Sequence, residues 1–515
     1  MSALFLNFLT DPYLRKVLIK IKTERPELIS YLACHELPTE EFFMTPFLDL
    51  SLLYNSKNIT KAFGELQPEQ LCFSEAINLG KNFFYIQKSI DRVSPIPNSA
   101  HYNENYFWEL CMYLKSFFLN NPSIKNIIFE ATPHLPHDLI IFFVAKELNI
   151  KTLILKRTSI AGFSYIAEDF RYENNFWKFN YNFENNLKTI FQKKNLYEMI
   201  EDLKNLEFAK DQVQGQWPEE LKKSNNLSTL LKKIINNIKI FNLIIIFLRY
   251  MKDIFSFPYI QKSGASKNFF LSSTFSHNNN INYLNYIKLK FQYRKRLNKL
   301  KEEDAKSHLN IEILKNKKYI FFPLHFQPEA STLPEGGIFE NQYLSLKLIS
   351  KSLPDDYILV VKEHPKQLNY DIRNKHFRTI SFYRKIRKLE NTLLFSSQSN
   401  YDELLKNSSL VATISGSVAW QGLLNGKPGV VFADMWLNDC KSIVMYQKCE
   451  KNFKKMIIEL TGQSKESVFE NIKFFLNNNS NFFFESVIFH KHQRFTNNVK
   501  KCIEQLAYSI IKRLK

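Results

Sequence analysis

The stretch that most constrains this chain runs from Tyr319 to Pro365, opening with YIFFPLHFQPEASTLPEGG and closing with YILVVKEHP. Tyr319–Pro323 and Tyr357–Val361 are short aromatic or β-branched runs bounded by turn residues, the pattern of parallel strands buried on both faces. Between them, Leu344, Leu346, Leu348, Ile349 and Leu353 recur at helical spacing, so the unit reads as strand–loop–helix–strand. Polar residues collect immediately after each strand: His325, Gln327, Glu329, Ser331 and Thr332 after the first, and Lys362, Glu363, His364 and Pro365 after the second. In an open parallel sheet this is the edge where ligands bind. A ligand site is therefore expected here.

The chain has 515 residues, more than one core organises, and two domains with an insertion are expected. With 45% apolar residues it is globular rather than disordered. The net charge of +20 implies a negatively charged partner or surface: nucleic acid, a phosphorylated small molecule or an anionic membrane face. No nucleic-acid-binding module motif is present, and nucleic acid is not expected as a partner. Six cysteines are scattered without CxxC spacing, which suits reduced thiols rather than zinc or a disulfide framework. The opening MSALFLNFLTDPYLRK has only a short apolar patch, interrupted by Asp11 and Pro12, unlike a secretory signal. A cytoplasmic protein is expected.

Taken in order, Tyr13–Ile21 and Pro26–Leu32 suggest short helices that cap the first sheet, Phe83–Gln87 a strand, and Asn105–Leu119 a buried helix. Ile124–Glu130, Leu139–Leu148 and Lys151–Leu155 form a second strand–loop–helix–strand unit. It gathers Glu130, His134, His137 and Asp138, with Arg157, Glu168 and Asp169 nearby, at the carboxyl edge of an N-terminal parallel sheet. From about Asn174 to Asn310, Lys and Asn dominate and helical spacing recurs at Leu284, Ile287, Phe291, Leu297 and Leu300. Loops are expected near Gln212–Pro218 and Lys262–Ser276. Within this insertion, Ile238–Leu248 is too short to span a bilayer and suits a buried helix or a monotopic membrane contact. Thr392–Phe395 and Leu410–Ile414 read as strands, Asn400–Leu405 and Val418–Leu424 as helices, and the segment from Tyr446 onward as helical with a loop near Asn477–Phe484. The expected division is 1–173, 174–310, 311–445 and 446–515.

Three constellations carry chemistry. Ser415-Gly416-Ser417 ends a strand at a helix N-terminus, where free N–H groups and the helix dipole favour an anion. Lys362-Glu363-His364-Pro365 offers a point charge and an imidazole donor on a loop that Pro stiffens. Glu130, Asp138, His134 and His137 are candidate general bases. The HxxH spacing does not read as a metal site, because Pro133 and Pro136 break the helix such sites need and no third ligand is evident. Neither a Walker A loop nor a GxGxxG turn is present.

Together, FFPLHFQPEAST…GG (321–337), VKEHP (361–365), FY (382–383) and VATISGSVAWQGLLNGKP (411–428) with the following VVFADMW resemble the bacterial capsule polysaccharide biosynthesis family, related to Kdo transferases. FEATPHLPHD…AKELNIKTLIL and AGFSYIAED resemble that family's first sheet. The resemblance implies an α/β, GT-B-like fold: two Rossmann-like parallel-sheet domains facing a cleft, with a helical insertion. It implies a metal-independent glycosyltransferase, needing no cofactor, that uses a nucleotide-sugar donor (CMP-Kdo or a CMP-nonulosonate, or alternatively a UDP-sugar) and a glycan or lipid-linked acceptor. A non-catalytic assembly protein that binds glycan or membrane is the other reading. By that resemblance His364 would contact the donor phosphate with Ser415 and Ser417, and the HFQPE loop would line the cleft. Gln421 departs from the family pattern, which has Glu there.

Overall fold

Ser2–Leu6, SALFL, is buried at every position and forms the strand about which the first sheet is built. In the computed structural model residues 2–35, 38–54, 56–93, 99–171, 179–181, 183, 190, 193, 195–206, 283–327, 329–369, 377–486 and 498–514 are described. Ile238–Leu248 and the loops expected near Gln212–Pro218 and Lys262–Ser276 lie outside them.

The first sheet contains β1 (Ser2–Leu6), β2 (Ile29–Cys34), β3 (Phe47–Asp49), β4 (Ile124–Phe129), β5 (Lys151–Arg157) and β6 (Phe163–Ala167); the second contains β7 (Lys318–Pro323), β8 (Tyr357–Lys362), β9 (Thr392–Phe395), β10 (Leu410–Thr413), β11 (Gly429–Val431) and β12 (Ile443–Met445). A late strand, β13 (Phe484–Glu485), returns to the first sheet. The spatial orders are β13-β6-β5-β4-β1-β2-β3 and β12-β11-β10-β7-β8-β9. Each half thus repeats the doubly wound Rossmann order, third-second-first-fourth-fifth-sixth in its own chain sequence. The second sheet is parallel throughout. In the first, β6 and β13 pair antiparallel. The fold is α/β with two facing Rossmann-like halves, the arrangement called GT-B.

Helices cover both faces. Pro12–Glu24 and Val499–Leu514 pack on one side of the first sheet around Leu14, Leu18, Leu506 and Ile510. Ala100–Asn120 and Pro136–Glu147 close the other side around Phe107, Leu114 and Phe142. In the second domain, Gln342–Lys351 and Ile380–Arg387 flank one face and Tyr401–Lys406 the other. Asn400 caps the last of these by accepting from the Glu403 amide.

Four sequence expectations change. Phe83–Gln87 is not a strand but the start of the helix Phe83–Val93. Its buried residues Ile86, Ser89, Ile90 and Val93 follow helical spacing, and the aromatic cluster at its start imitated a strand. Pro26–Leu28 is a single 3-10 turn, and Ile29–Cys34 is β2. The expected loop near Asn477–Phe484 is the end of the helix Lys465–Asn479, a short turn and the start of β13. In the helix Tyr283–Ala305, Phe291 faces solvent, whereas Tyr293, Leu297 and Leu300 are buried.

The two domains share an apolar seam. Ile160, Phe163, Tyr165 and Ala167 of the first meet Trp420, Leu423, Met435 and Trp436 of the second, with Phe475 and Phe483 completing the cluster. Trp436 lies 5.2 Å from the Trp420 ring, 5.9 Å from Phe475 and 5.7 Å from Phe483. Truncating such a residue leaves a cavity worth about 3–5 kcal/mol. Trp436→Ala is expected to lower urea resistance by that amount and to split unfolding into two transitions by circular dichroism, because the seam that couples the domains is lost.

Candidate functional site

The loops at the carboxyl ends of the central strands meet between the domains. In each sheet these strands flank the point where the order reverses, β1 beside β4 and β7 beside β10, the position where doubly wound sheets bind ligands. Thr132, beyond β4, donates to Glu335 Oε1 at 2.6 Å across the junction. Lys156, on β5, pairs with the same oxygen at 2.9 Å. Arg92 donates to the Leu333 carbonyl at 3.4 Å, and Lys88 pairs with Glu340 at 3.4 Å. Beside these contacts lies an interdomain cavity of ≈ 200 Å³, lined by Lys88 and Asp91 from one domain and by Gln327, Glu340, Gln342 and Phe382 from the other.

On the second domain, a buried Arg378 organises the strand ends. Its guanidinium donates to Glu363 Oε2 at 2.8 Å and to the His325 carbonyl at 2.9 Å, and also reaches Gln327 Oε1. Tyr383 donates to Glu363 Oε2 at 2.8 Å. Glu363 is 1% exposed. It is the counter-ion of Arg378 rather than a group presented to the cleft. Lys362 likewise spends its ammonium on the Glu363 and Ser397 carbonyls, at 3.1 and 3.0 Å. Burial lowers its pKa to about 8.

His325 is a strut between β7 and β10. The Ile414 amide donates to its Nε2 at 3.2 Å, which leaves the ring proton on Nδ1, 3.4 Å from Ser331 Oγ. Thr413 Oγ1 sits 2.8 Å from the same Nε2. Burial, then Arg378, lowers its pKa to about 4, so the ring is neutral. Gly416 packs so closely that a Cβ would lie 2.7 Å from Thr413 Oγ1 and 2.9 Å from His325 Cε1. Thr332 closes a turn by donating to the Glu329 carbonyl at 3.0 Å, while Glu329 itself is exposed. Of the HFQPEAST residues, His325, Gln327 and Thr332 hold the loop together; they do not project from it.

His364 differs. Its Nδ1 accepts from the Lys366 amide at 3.1 Å, so the neutral ring carries its proton on Nε2. Burial, reinforced by Lys362 and Lys366, pushes its pKa down to about 3. The ring packs beside Phe326 at 5.7 Å and remains partly exposed. Ser415 lies 2.9 Å from the Ser331 carbonyl and 3.3 Å from Glu335 Oε2. Ser417 is exposed at the head of the seven-residue helix Val418–Leu424, and its hydroxyl caps nothing there. Gln421 accepts from the Tyr401 hydroxyl.

On the first domain, Glu130, His134 and Asp138 line one small pocket with Asn7 and Thr132. Burial raises the carboxyl pKa of both acids, Asp138 to about 7, and the Asp138 charge disfavours ionisation of Glu130 further. His134 Nδ1 is 2.8 Å from the Thr132 carbonyl and so carries the proton, leaving Nε2 as the lone-pair nitrogen. Its pKa is lowered to about 4, chiefly by burial. His137 does not join them as an open base: it is fully buried, edge-on to Tyr54 at 4.6 Å and to His35 at 5.3 Å. Its Nε2 is 3.3 Å from Asp138 Oδ1. Arg157 stands near this junction on β5, whereas Glu168 pairs with Arg513 at 2.6 Å and Asp169 with Arg171 at 2.8 Å. Arg378, Lys156 and Glu335 escaped the sequence reading. Glu335 lay inside the quoted motif, but Arg378 and Lys156 gave no local signal. Among the described residues no His, Cys, Asp and Glu cluster could hold a metal ion, and no helix is long and apolar enough to cross a membrane.

Fold and site together define a two-domain α/β protein with a cleft between paired Rossmann-like sheets. Residues 229–455 match the family model described as capsule polysaccharide biosynthesis protein. The matched segment carries the whole second sheet. No curated protein matches the sequence. Among solved structures, OtsA is similar at 10% identity over 100% of this chain and 99% of its own, with a TM-score of 0.31. KpsC from Thermosulfurimonas dismutans, a β-Kdo 2,4 transferase, shows 8% identity over 68% and 79%, with a TM-score of 0.27. The N-terminal domain of Candida albicans trehalose-6-phosphate phosphatase shows 14% identity over 42% of this chain and 46% of that one, with a TM-score of 0.25. Scores this low carry no argument about this chain.

Breaking a buried ion pair from one side costs about 3–5 kcal/mol, because the partner charge is left uncompensated. Glu363→Gln is expected to destabilise the second domain by that order in urea unfolding. Adding Arg378→Met to it should recover part of the loss, which a lone side-chain truncation would not do.

Proposed function

We propose that this chain is a glycosyltransferase that moves a sugar from a nucleotide-activated donor, CMP-Kdo or a CMP-nonulosonate, to a surface glycan or lipid-linked acceptor in capsule or O-antigen assembly. One observation carries the reading: the two sheets bring their reversal points together with different chemistry on each. The second domain offers neutral and cationic donors, and the first offers buried carboxyls of raised pKa.

His364, whose proton rests on Nε2, suits donation to a phosphate oxygen of the departing nucleotide, with Ser415 and Ser417 as further contacts. No metal is invoked in this scheme. A base must accept the proton of the acceptor hydroxyl, or a carboxylate must attack the anomeric carbon if configuration is retained. Asp138, pushed up to about 7, suits proton transfer at neutral pH better than His134 at about 4, since the best base has a pKa near the working pH. Glu130 shares its pocket and is the second candidate. The net charge of +20 supports a position against anionic lipid.

Hydrolysis and transfer assays across CMP-, UDP- and GDP-sugars test the reading. CMP-sugar turnover supports it, UDP-sugar turnover moves the donor to another nucleotide, and no turnover with no thermal shift by CMP or UDP sinks the enzyme. His364→Ala is expected to raise the donor KM by about ten-fold or more, the loss of one charge-assisted hydrogen bond. Asp138→Asn should lower kcat by about 10²–10⁴-fold. Because the ionised carboxylate is the active form, kcat should rise with pH through about 7 and then level. That limb should vanish in Asp138→Asn.

A further inference from the structure

The carboxylate of Glu335 occupies a cradle assembled from three separate elements. Lys156 Nζ lies 2.9 Å from Oε1 and the Thr132 hydroxyl donates to the same oxygen at 2.6 Å, while Ser415 Oγ stands 3.3 Å from Oε2. Two of these groups come from the first domain and one from the second. The ion pair is largely withdrawn from solvent, with side-chain exposures of 9% for Lys156 and 12% for Glu335. Burial disfavours the Lys156 charge, but Glu335 more than offsets it, and the lysine pKa is raised. An ammonium beside a donating hydroxyl suits a phosphate or a carboxylate, and Ser415, whose proton goes to the Ser331 carbonyl at 2.9 Å, would add a second donor by turning toward it. The cradle also lies at the meeting of both reversal points, where doubly wound sheets bind ligands.

A second acid lies within electrostatic reach of Lys156. Asp434, just beyond β11, is 7% exposed. Its Oδ1 accepts from Asn438 at 2.5 Å, whereas its Oδ2 is buried without a hydrogen-bond partner. Burial raises its pKa to about 8, so Asp434 is largely protonated at neutral pH and leaves the Lys156 charge to Glu335.

We propose that Lys156, Thr132 and Ser415 form an oxyanion-binding site, that Glu335 fills it from within the chain, and that a phosphate or carboxylate of the substrate takes Glu335's place. This deepens the reading of the cleft as a nucleotide-sugar site and rests on it. The two sources share one chemistry: the donor phosphate and the carboxylate of a sugar acid both present oxygens that a lysine and two hydroxyls would hold. Glu335 then serves as a specificity-determining residue, since a neutral sugar cannot displace it.

The test is oxyanion binding rather than turnover. Thermal shift and calorimetry on the full chain would use inorganic phosphate, free Kdo and glucose. Glu335→Gln leaves Lys156 without its anion, and its affinity for phosphate or Kdo should rise about ten-fold over the wild type, with no response to glucose. Glu335→Asp, which keeps the charge on a shorter stem, should give a smaller gain and covers the case that Glu335→Gln folds poorly. Adding Lys156→Met to either variant should abolish the response. A response to phosphate alone assigns the site to the donor phosphate, and one to Kdo alone assigns it to the sugar carboxylate; both support the site. Equal oxyanion affinity in the wild type and both Glu335 variants, or a response that survives Lys156→Met, would overturn it and leave Lys156–Glu335 as a structural pair. Oxyanion binding without nucleotide-sugar turnover would overturn the transfer reaction and leave the site standing. Turnover with unaltered oxyanion binding would do the reverse.

Discussion

The apolar seam between β6 and the Trp420–Trp436 cluster is the contact on which the rest depends. GT-B-type cleft chemistry requires two sheet edges held opposite one another, and a purely polar junction would leave their relation to a few exposed ion pairs. Here Tyr165, Trp420 and Trp436 are nearly fully buried in one cluster. Burying side chains of that size contributes on the order of 2–3 kcal/mol each, more than a solvent-facing bridge such as Lys88–Glu340 supplies. The seam lies to one side of the reversal points, so it fixes their opposition without filling the space between them.

Within that frame, polar groups divide into those that build the loops and those left to work. The Arg378 guanidinium draws Glu363, Gln327 and the His325 backbone into a dry network, and His325 ties β7 to β10. Such networks are costly when half satisfied and rigid when complete. With the framework so bound, His364 keeps a proton-bearing nitrogen, Ser417 an exposed hydroxyl, and Asp138 a raised carboxyl pKa.

The second domain was readable residue by residue because its strands are short apolar runs separated by strong turn residues. Tyr319–Pro323, Tyr357–Val361 and Leu410–Ile414 all emerged within a residue or two of their observed bounds. The first domain was harder. Buried on both faces, Ser2–Leu6 shows no alternation; Phe83–Gln87 crowds aromatic residues into what is a helical turn. Antiparallel β6 lies in a stretch after β5 whose residues alone assigned it no element, though AGFSYIAED resembled the family's first sheet. Strand-end clustering picked out loops that meet between the domains, yet clustering cannot tell a group that faces the cleft from one that binds its neighbour. Glu363 and His364 are adjacent in sequence, and only the distant Arg378 sends one inward.

The return of the chain to the first sheet has a consequence for how the protein is made. β13 lies beside β6, and Val499–Leu514 packs against Pro12–Glu24. Residues synthesised first therefore lack an edge strand and a helical cover until the second domain has been translated. During synthesis, the flank around Ala3, Phe5 and Leu14 stays open to chaperones or to other nascent chains for the time taken to add more than three hundred residues, about 15–60 s or longer at ordinary elongation rates. The domain begun first is completed last. A truncation that spares the whole cleft would still leave it unfinished.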